Sequence, residues 1–135
     1  MPRQDNMTAL KETIAKRLSG LIGIWVYGSV AKGEDTSKSD LDIAVLANAP
    51  VPFDKLLDLS VSLMQQVGCD VDFVDLRVAP SVLRKEVIAK GRRIYCADWA
   101  ACETFEDFVF SDYARLNEER AGILDDIFQR GSVYG

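Results

Sequence analysis

The chain has no histidine in its 135 residues. This removes the imidazole that most often serves as general base, and with it the nitrogen donor of most zinc sites. Any chemistry must therefore run on carboxylates, hydroxyls, cationic side chains and backbone amides. Cysteine is also scarce. Cys69, Cys96 and Cys102 are odd in number and include no C-x-x-C pair, which predicts small core or surface residues in a reducing compartment, with no metal or redox role. Long hydrophobic runs are missing too. The longest near-continuous apolar stretch, Leu21 to Tyr27, falls far short of the about 20 residues of a membrane-spanning helix. The opening Met-Pro-Arg-Gln-Asp offers no apolar signal core, so a cytoplasmic location is expected. Finally, there is no basic excess. The net charge is −5, and it is unevenly spread: residues 1–97 carry 13 Lys/Arg against 12 Asp/Glu, whereas residues 98–135 carry 3 Arg against 9 Asp/Glu. A near-neutral body with an acidic tail suits a basic protein partner better than nucleic acid.

What remains is the composition of a globular domain, 48% hydrophobic and 27% charged, in a length that fits one core. Leu10, Ile14, Ala15 and Leu18 recur at helical spacing and predict a helix from about Met7 to Ser19, with Asn6 or Thr8 as its N-cap. Leu21 to Tyr27 and Leu41 to Leu46 read as buried strands. Pro50 and Pro52 open a helix over about Phe53 to Val67, with Leu56, Leu57, Leu59, Leu63 and Val67 as its apolar face, ended by Gly68. Val71 to Leu76 is a third strand. A helix begins at Pro80, turns Val82, Leu83, Val87 and Ile88 inward and stops before Gly91. Arg92 to Cys96 reads as a short edge strand. From about Thr104 to Arg130, Phe105, Phe108, Val109, Tyr113, Leu116, Ile123, Leu124, Ile127 and Phe128 form one helical stripe, with a possible break at Gly122. The expected architecture is α/β, a small sheet flanked by helices. It divides into residues 1–97 and an acidic amphipathic tail, 98–135, packed on the domain, on a partner or on both.

The stretch that carries chemistry is Tyr27-Gly28-Ser29-Val30-Ala31-Lys32-Gly33, followed by Ser39-Asp40-Leu41-Asp42, which has the form G-S-x10-D-x-D. Residues two apart on a strand share a face, so Asp40 and Asp42 present paired carboxylates while Leu41 and Ile43 enter the core. Such a pair, about 6–7 Å apart, repels unless a cation lies between its members. Magnesium, which takes one or two carboxylates plus phosphate oxygens, fits that arrangement. Gly28 and Ser29, at a strand end, offer close backbone approach, amides and a hydroxyl to phosphate oxygens. Chance turns of this kind exist: Gly131-Ser132 is another Gly-Ser pair, with no D-x-D after it. A P-loop is excluded, because Glu34 and Asp35 stand where Lys and Ser/Thr are required after G-x4-G.

On Gly28, Ser29, Asp40 and Asp42 the sequence resembles the DNA polymerase β nucleotidyltransferase superfamily, and within it the minimal nucleotidyltransferases (MNT), over roughly Leu21 to Tyr95. The resemblance implies a polymerase β-like fold with a mixed sheet, ATP as substrate and two Mg2+ ions. It also implies a third carboxylate on a later strand. Asp70, Asp72 and Asp75 are available, and Val71-Asp72-Phe73-Val74 matches the family's apolar-Asp-apolar-apolar segment, so Asp72 is expected to join Asp40 and Asp42 as catalytic and metal-binding residues. Gly28, Ser29 and Lys32 are the expected nucleotide-binding residues; Arg77, just past the third strand, is a further phosphate candidate. None of these 135 residues is expected to form the extra domains that larger relatives use to hold their acceptors. The chain resembles the MNT antitoxins of HEPN/MNT toxin–antitoxin pairs, and the resemblance implies a HEPN ribonuclease as partner and one of its tyrosines as the acceptor of AMP. An aminoglycoside-type enzyme and a non-catalytic antitoxin acting by binding alone are the rival expectations.

Overall fold

The computed structural model describes residues 3–28 and 40–134. Its elements run α1 (Arg3–Arg17), β1 (Leu21–Tyr27), β2 (Leu41–Ala47), α2 (Phe53–Val67), β3 (Val71–Asp75), α3 (Ser81–Lys90), β4 (Arg92–Cys96) and α4 (Trp99–Tyr134). The strands form one mixed sheet in the order β3-β2-β1-β4. β1 pairs antiparallel with both β2 and β4, and β2 pairs parallel with β3. The long α2 crossover makes the parallel pair possible, since a tight hairpin can join only antiparallel strands.

Strand parity separates two cores. Ile24, Val26, Leu41, Ile43, Val45 and Val71 pack against Leu10, Ile14 and Leu18 of α1 and Leu56, Leu59 and Leu63 of α2. On the opposite face Trp25, Ala44 and Leu46 meet Val87 and Ile88 of α3 and Cys102 and Val109 of α4. With both faces covered, β2 is buried along nearly its whole length, and its sequence is apolar almost throughout rather than alternating. Gly68 closes α2 in the left-handed region at φ 78°, its N–H donating to Met64 O, a conformation that glycine adopts without Cβ strain.

Four expectations are corrected. α1 begins at Arg3, so Asn6 and Thr8 lie inside it rather than capping it. Leu57 of α2 and Val82 of α3 are exposed, not inward; each helix rests on the sheet through a narrower stripe than the sequence suggests. α4 runs unbroken through Gly122, because one glycine inside a helix costs only about 1 kcal/mol. The tail is also not uniform. Cys102 and Val109 are buried and Tyr113 and Leu116 partly so, whereas residues 117–130 are all exposed. Ile123, Leu124, Ile127 and Phe128 are each at least 58% exposed, so the second half of α4 presents its apolar stripe outside the core.

Candidate active site

The site forms where β1 ends and β2 and β3 begin. Tyr27 is the cross-strand partner of Asp42, and Asp42 is the partner of Asp72. A phenol and two carboxylates therefore lie in one row across three adjacent strands. All three belong to the face that carries α3 and α4, because Ala44, Leu46 and Val74, on the same parity, pack in that core. Neighbouring strands are about 4.8 Å apart, so the carboxylates of Asp42 and Asp72 interact directly. Asp40 sits on the exposed approach to β2.

The electrostatics record this crowding. Burial first, then the charge of Asp72, then that of Asp40, raise the Asp42 carboxyl above the ordinary carboxylate range. Tyr27 is pushed up to about 12 by burial, then by Asp42 and Asp72, so its phenol stays protonated as a hydrogen-bond donor at neutral pH. Among the described residues no lysine or arginine forms an ion pair with Asp40, Asp42 or Asp72. Nor do any three acidic or cysteine side chains there gather tightly enough to enclose a metal ion unaided. Close carboxylates with no cationic partner among the described residues suit a divalent cation whose remaining ligands are phosphate oxygens and water.

Gly28 closes β1 at φ 76°. The left-handed backbone favours glycine there, and a Cβ at that position would run into Oδ2 of Asp42 and push the carboxylate aside. Gly28→Ala is expected to cost about 1–3 kcal/mol of stability and to displace Asp42. Thermal melting should show the first effect, and loss of nucleotidyl transfer beyond the loss of folded protein the second.

Among the other sequence candidates, Ser29 and Lys32 lie outside the described residues. Asp70 is exposed ahead of β3, where its backbone carbonyl accepts a hydrogen bond from Leu41 N. Asp75 is buried on the opposite face and accepts from Val51 N at 2.8 Å and Arg77 N at 2.9 Å, a structural role in holding two loops. Of these three acids, Asp72 is the one paired with Asp42. Arg77 is a correction. Because β3 runs parallel to β2, it follows the far ends of both strands, where its Nε donates to Ala47 O at 2.7 Å; it cannot share a phosphate with Asp42. Tyr27 is the residue that sequence reading missed. Only the β1–β2 register reveals it, and that register is hidden by the long connection between the strands. Cys96 and Cys102, far from C-x-x-C spacing, nevertheless meet with their Sγ atoms 3.1 Å apart, well away from the carboxylates.

A family model described as polymerase beta, nucleotidyltransferase, matches residues 9–100. The chain belongs to this family. It is a nucleotidyltransferase, with the polymerase β-like fold and a long C-terminal helix added. The protein adenylyltransferase MntA of Shewanella oneidensis is 35% identical over 128 residues, which is 93% of this chain and 89% of that protein. A crystallised toxin–antitoxin with AMP-PNP superposes with a TM-score of 0.82 at 31% identity, over 91% of this chain and 98% of the other. An MNT antitoxin in complex with a tri-AMPylated HEPN toxin from Shewanella oneidensis superposes at 0.78 with 29% identity, over 93% of this chain and 98% of the other. Among the described residues, no helix of this family member is long and apolar enough to cross a membrane.

Proposed function

We propose that the chain is an antitoxin that transfers AMP from ATP to a tyrosine hydroxyl of a cognate HEPN ribonuclease toxin in the cytoplasm, and so neutralises it. The observation that carries this reading is the Asp42–Asp72 cross-strand pair beside the left-handed Gly28. That site belongs to a chain 35% identical to a protein adenylyltransferase. The tri-AMPylated HEPN toxin bound to a relative favours a protein acceptor over an aminoglycoside, and a catalytic antitoxin over one that acts by binding alone.

In this reading Gly28, Ser29 and Lys32 receive the triphosphate, the glycine by close backbone approach and the other two by hydroxyl and ammonium. Asp40, Asp42 and Asp72 are the residues that would hold Mg2+, as two ions. When bound, the metal supplies charge neutralisation for the triphosphate and for the departing pyrophosphate. The tyrosine oxygen attacks the α-phosphorus in line, the bond from that phosphorus to the bridging oxygen of the β-phosphate breaks, and pyrophosphate leaves. Asp72, at the exposed side of the row, takes the hydroxyl proton. Residues 1–97 form the catalytic unit. The tail, 98–135, packs on that unit through its first half and meets the partner with its second.

The test is incubation with α-labelled ATP and magnesium, with and without the cognate HEPN protein. Label should enter the HEPN protein only when both magnesium and the chain are present. Label that instead enters an aminoglycoside, with none in the protein, would replace the acceptor; full transfer in excess chelator would remove the metal.

A further inference from the structure

Between α3 and the first three turns of α4 lies a groove of about 670 Å3, within the range of small-ligand sites. Ile22 and Leu46 form its floor, and Ala101, Phe105 and Phe108 one wall. It shares a sheet face with the carboxylates but occupies the other end: Leu46 lies four residues beyond Asp42 on β2, about 13 Å at strand rise.

Arg77 and Arg84 line the groove as well. Arg77 Nε donates to Ala47 O at 2.7 Å, Arg84 Nε to Leu76 O at 2.8 Å, and Arg84 Nη2 to Arg77 O at 2.7 Å. Carbonyl contacts orient a guanidinium without neutralising it. Among the described residues neither arginine has an ion-pair partner. The acid nearest in effect, Asp112, is engaged by Ser81 at 2.6 Å and Arg115 at 2.9 Å. Two fixed, like-charged groups therefore stand beside an apolar wall. The Arg84 guanidinium lies 6.0 Å from the Phe108 ring centroid, and that ring is half exposed. An oxyanion pairs with both guanidinium groups through charge-assisted hydrogen bonds, and an apolar body covers the exposed ring.

We propose that this groove is a second ligand site, for a small amphiphilic anion: a carboxylate, sulfonate or phosphate on an aromatic or aliphatic body. The anionic group sits on Arg77 and Arg84, and the body lies against Phe105 and Phe108. The site stands apart from the adenylyl-transfer reading and does not depend on it.

The probe is 8-anilinonaphthalene-1-sulfonate, titrated by fluorescence into the full-length chain, with its uncharged relative N-phenyl-1-naphthylamine alongside. The sulfonate should bind saturably at one site and more tightly than the neutral probe. Arg77→Gln with Arg84→Gln should weaken the sulfonate about tenfold or more and leave the neutral probe nearly unchanged. Ala101→Phe, which fills the groove, should abolish binding of both. Phe128→Ser, on the separate exposed stripe of α4, should change neither. Sulfonate binding that survives the arginine pair or Ala101→Phe, or that is lost with Phe128→Ser, would overturn the site. Should the arginine variant fail to fold, the wild-type comparison decides: equal affinity for charged and neutral probes also overturns it.

Discussion

Asp42→Asn is expected to abolish nucleotidyl transfer while leaving the fold intact. Asp42 is the middle of the row, between Tyr27 and Asp72. It feels the charge of Asp72 and of Asp40 just ahead of its own strand, and its loss removes the carboxylate shared by the proposed metal sites. Metal-supplied charge stabilisation is worth several kcal/mol, and each ~1.4 kcal/mol is a factor of ten. A loss on the order of a thousandfold follows. Stability moves the other way. A carboxyl whose folded pKa is raised adds stability below its unfolded value, and that contribution disappears as pH rises through the folded value. At pH 7 the metal-free protein therefore holds an ionised Asp42 at a penalty, which asparagine removes. Metal-free Asp42→Asn should melt at or above wild type at neutral pH, with the difference closing as pH falls into the range where Asp42 protonates. Magnesium with a non-hydrolysable ATP analogue should stabilise wild type and stabilise the variant far less. A variant that melts well below wild type at pH 7 would assign Asp42 a structural role instead.

The second large effect concerns α4. Among its described side chains, the last buried one is Val109 and the last partly buried one Leu116, with residues 117–130 exposed throughout. Deleting residues 117–135 should therefore change the melting temperature little, yet lower modification of the HEPN partner by about tenfold to a hundredfold, the equivalent of one to two buried anchor residues. The apolar stripe Ile123, Leu124, Ile127 and Phe128 should supply most of that affinity. Charge reversal of Asp125 and Asp126 to lysine isolates the electrostatic part. It should slow association at low salt and lose its effect as ionic strength rises, as expected of exposed charges. A salt-independent loss would place these carboxylates in direct, desolvated contact with the partner.

The order of elements was legible in the sequence because β1 and β2 are short apolar runs entered after Gly20 and Asp40, and because Gly68 and Gly91 follow the ends of α2 and α3. β1 and β4 match their expected limits, and α2 ends at the glycine that permits a left-handed cap. The D-x-D pair was legible because strand parity requires Leu41 and Ile43 inward, and both are buried. Three things were not. The pairing of Asp42 with both Tyr27 and Asp72 is a cross-strand relation, and periodicity along one strand carries no information about register with another. Apolar periodicity makes the helix faces too wide at Leu57 and Val82, since hydrophobicity alone does not show which apolar residue can reach the sheet. Arg77 is a phosphate candidate in the sequence only through its place just past the third strand, whereas the parallel run of β2 and β3 carries it to the far end of the sheet.

The most direct measurement is the intact mass of the HEPN partner after co-expression with wild-type chain, with Asp42→Asn and with Asp72→Asn. Wild type should add adenylate to the partner, on tyrosine when the fragments are sequenced, and both variants should leave the partner unmodified while still binding it. A partner equally modified with the variants, or unmodified yet neutralised with wild type, would contradict adenylyl transfer by this row of carboxylates.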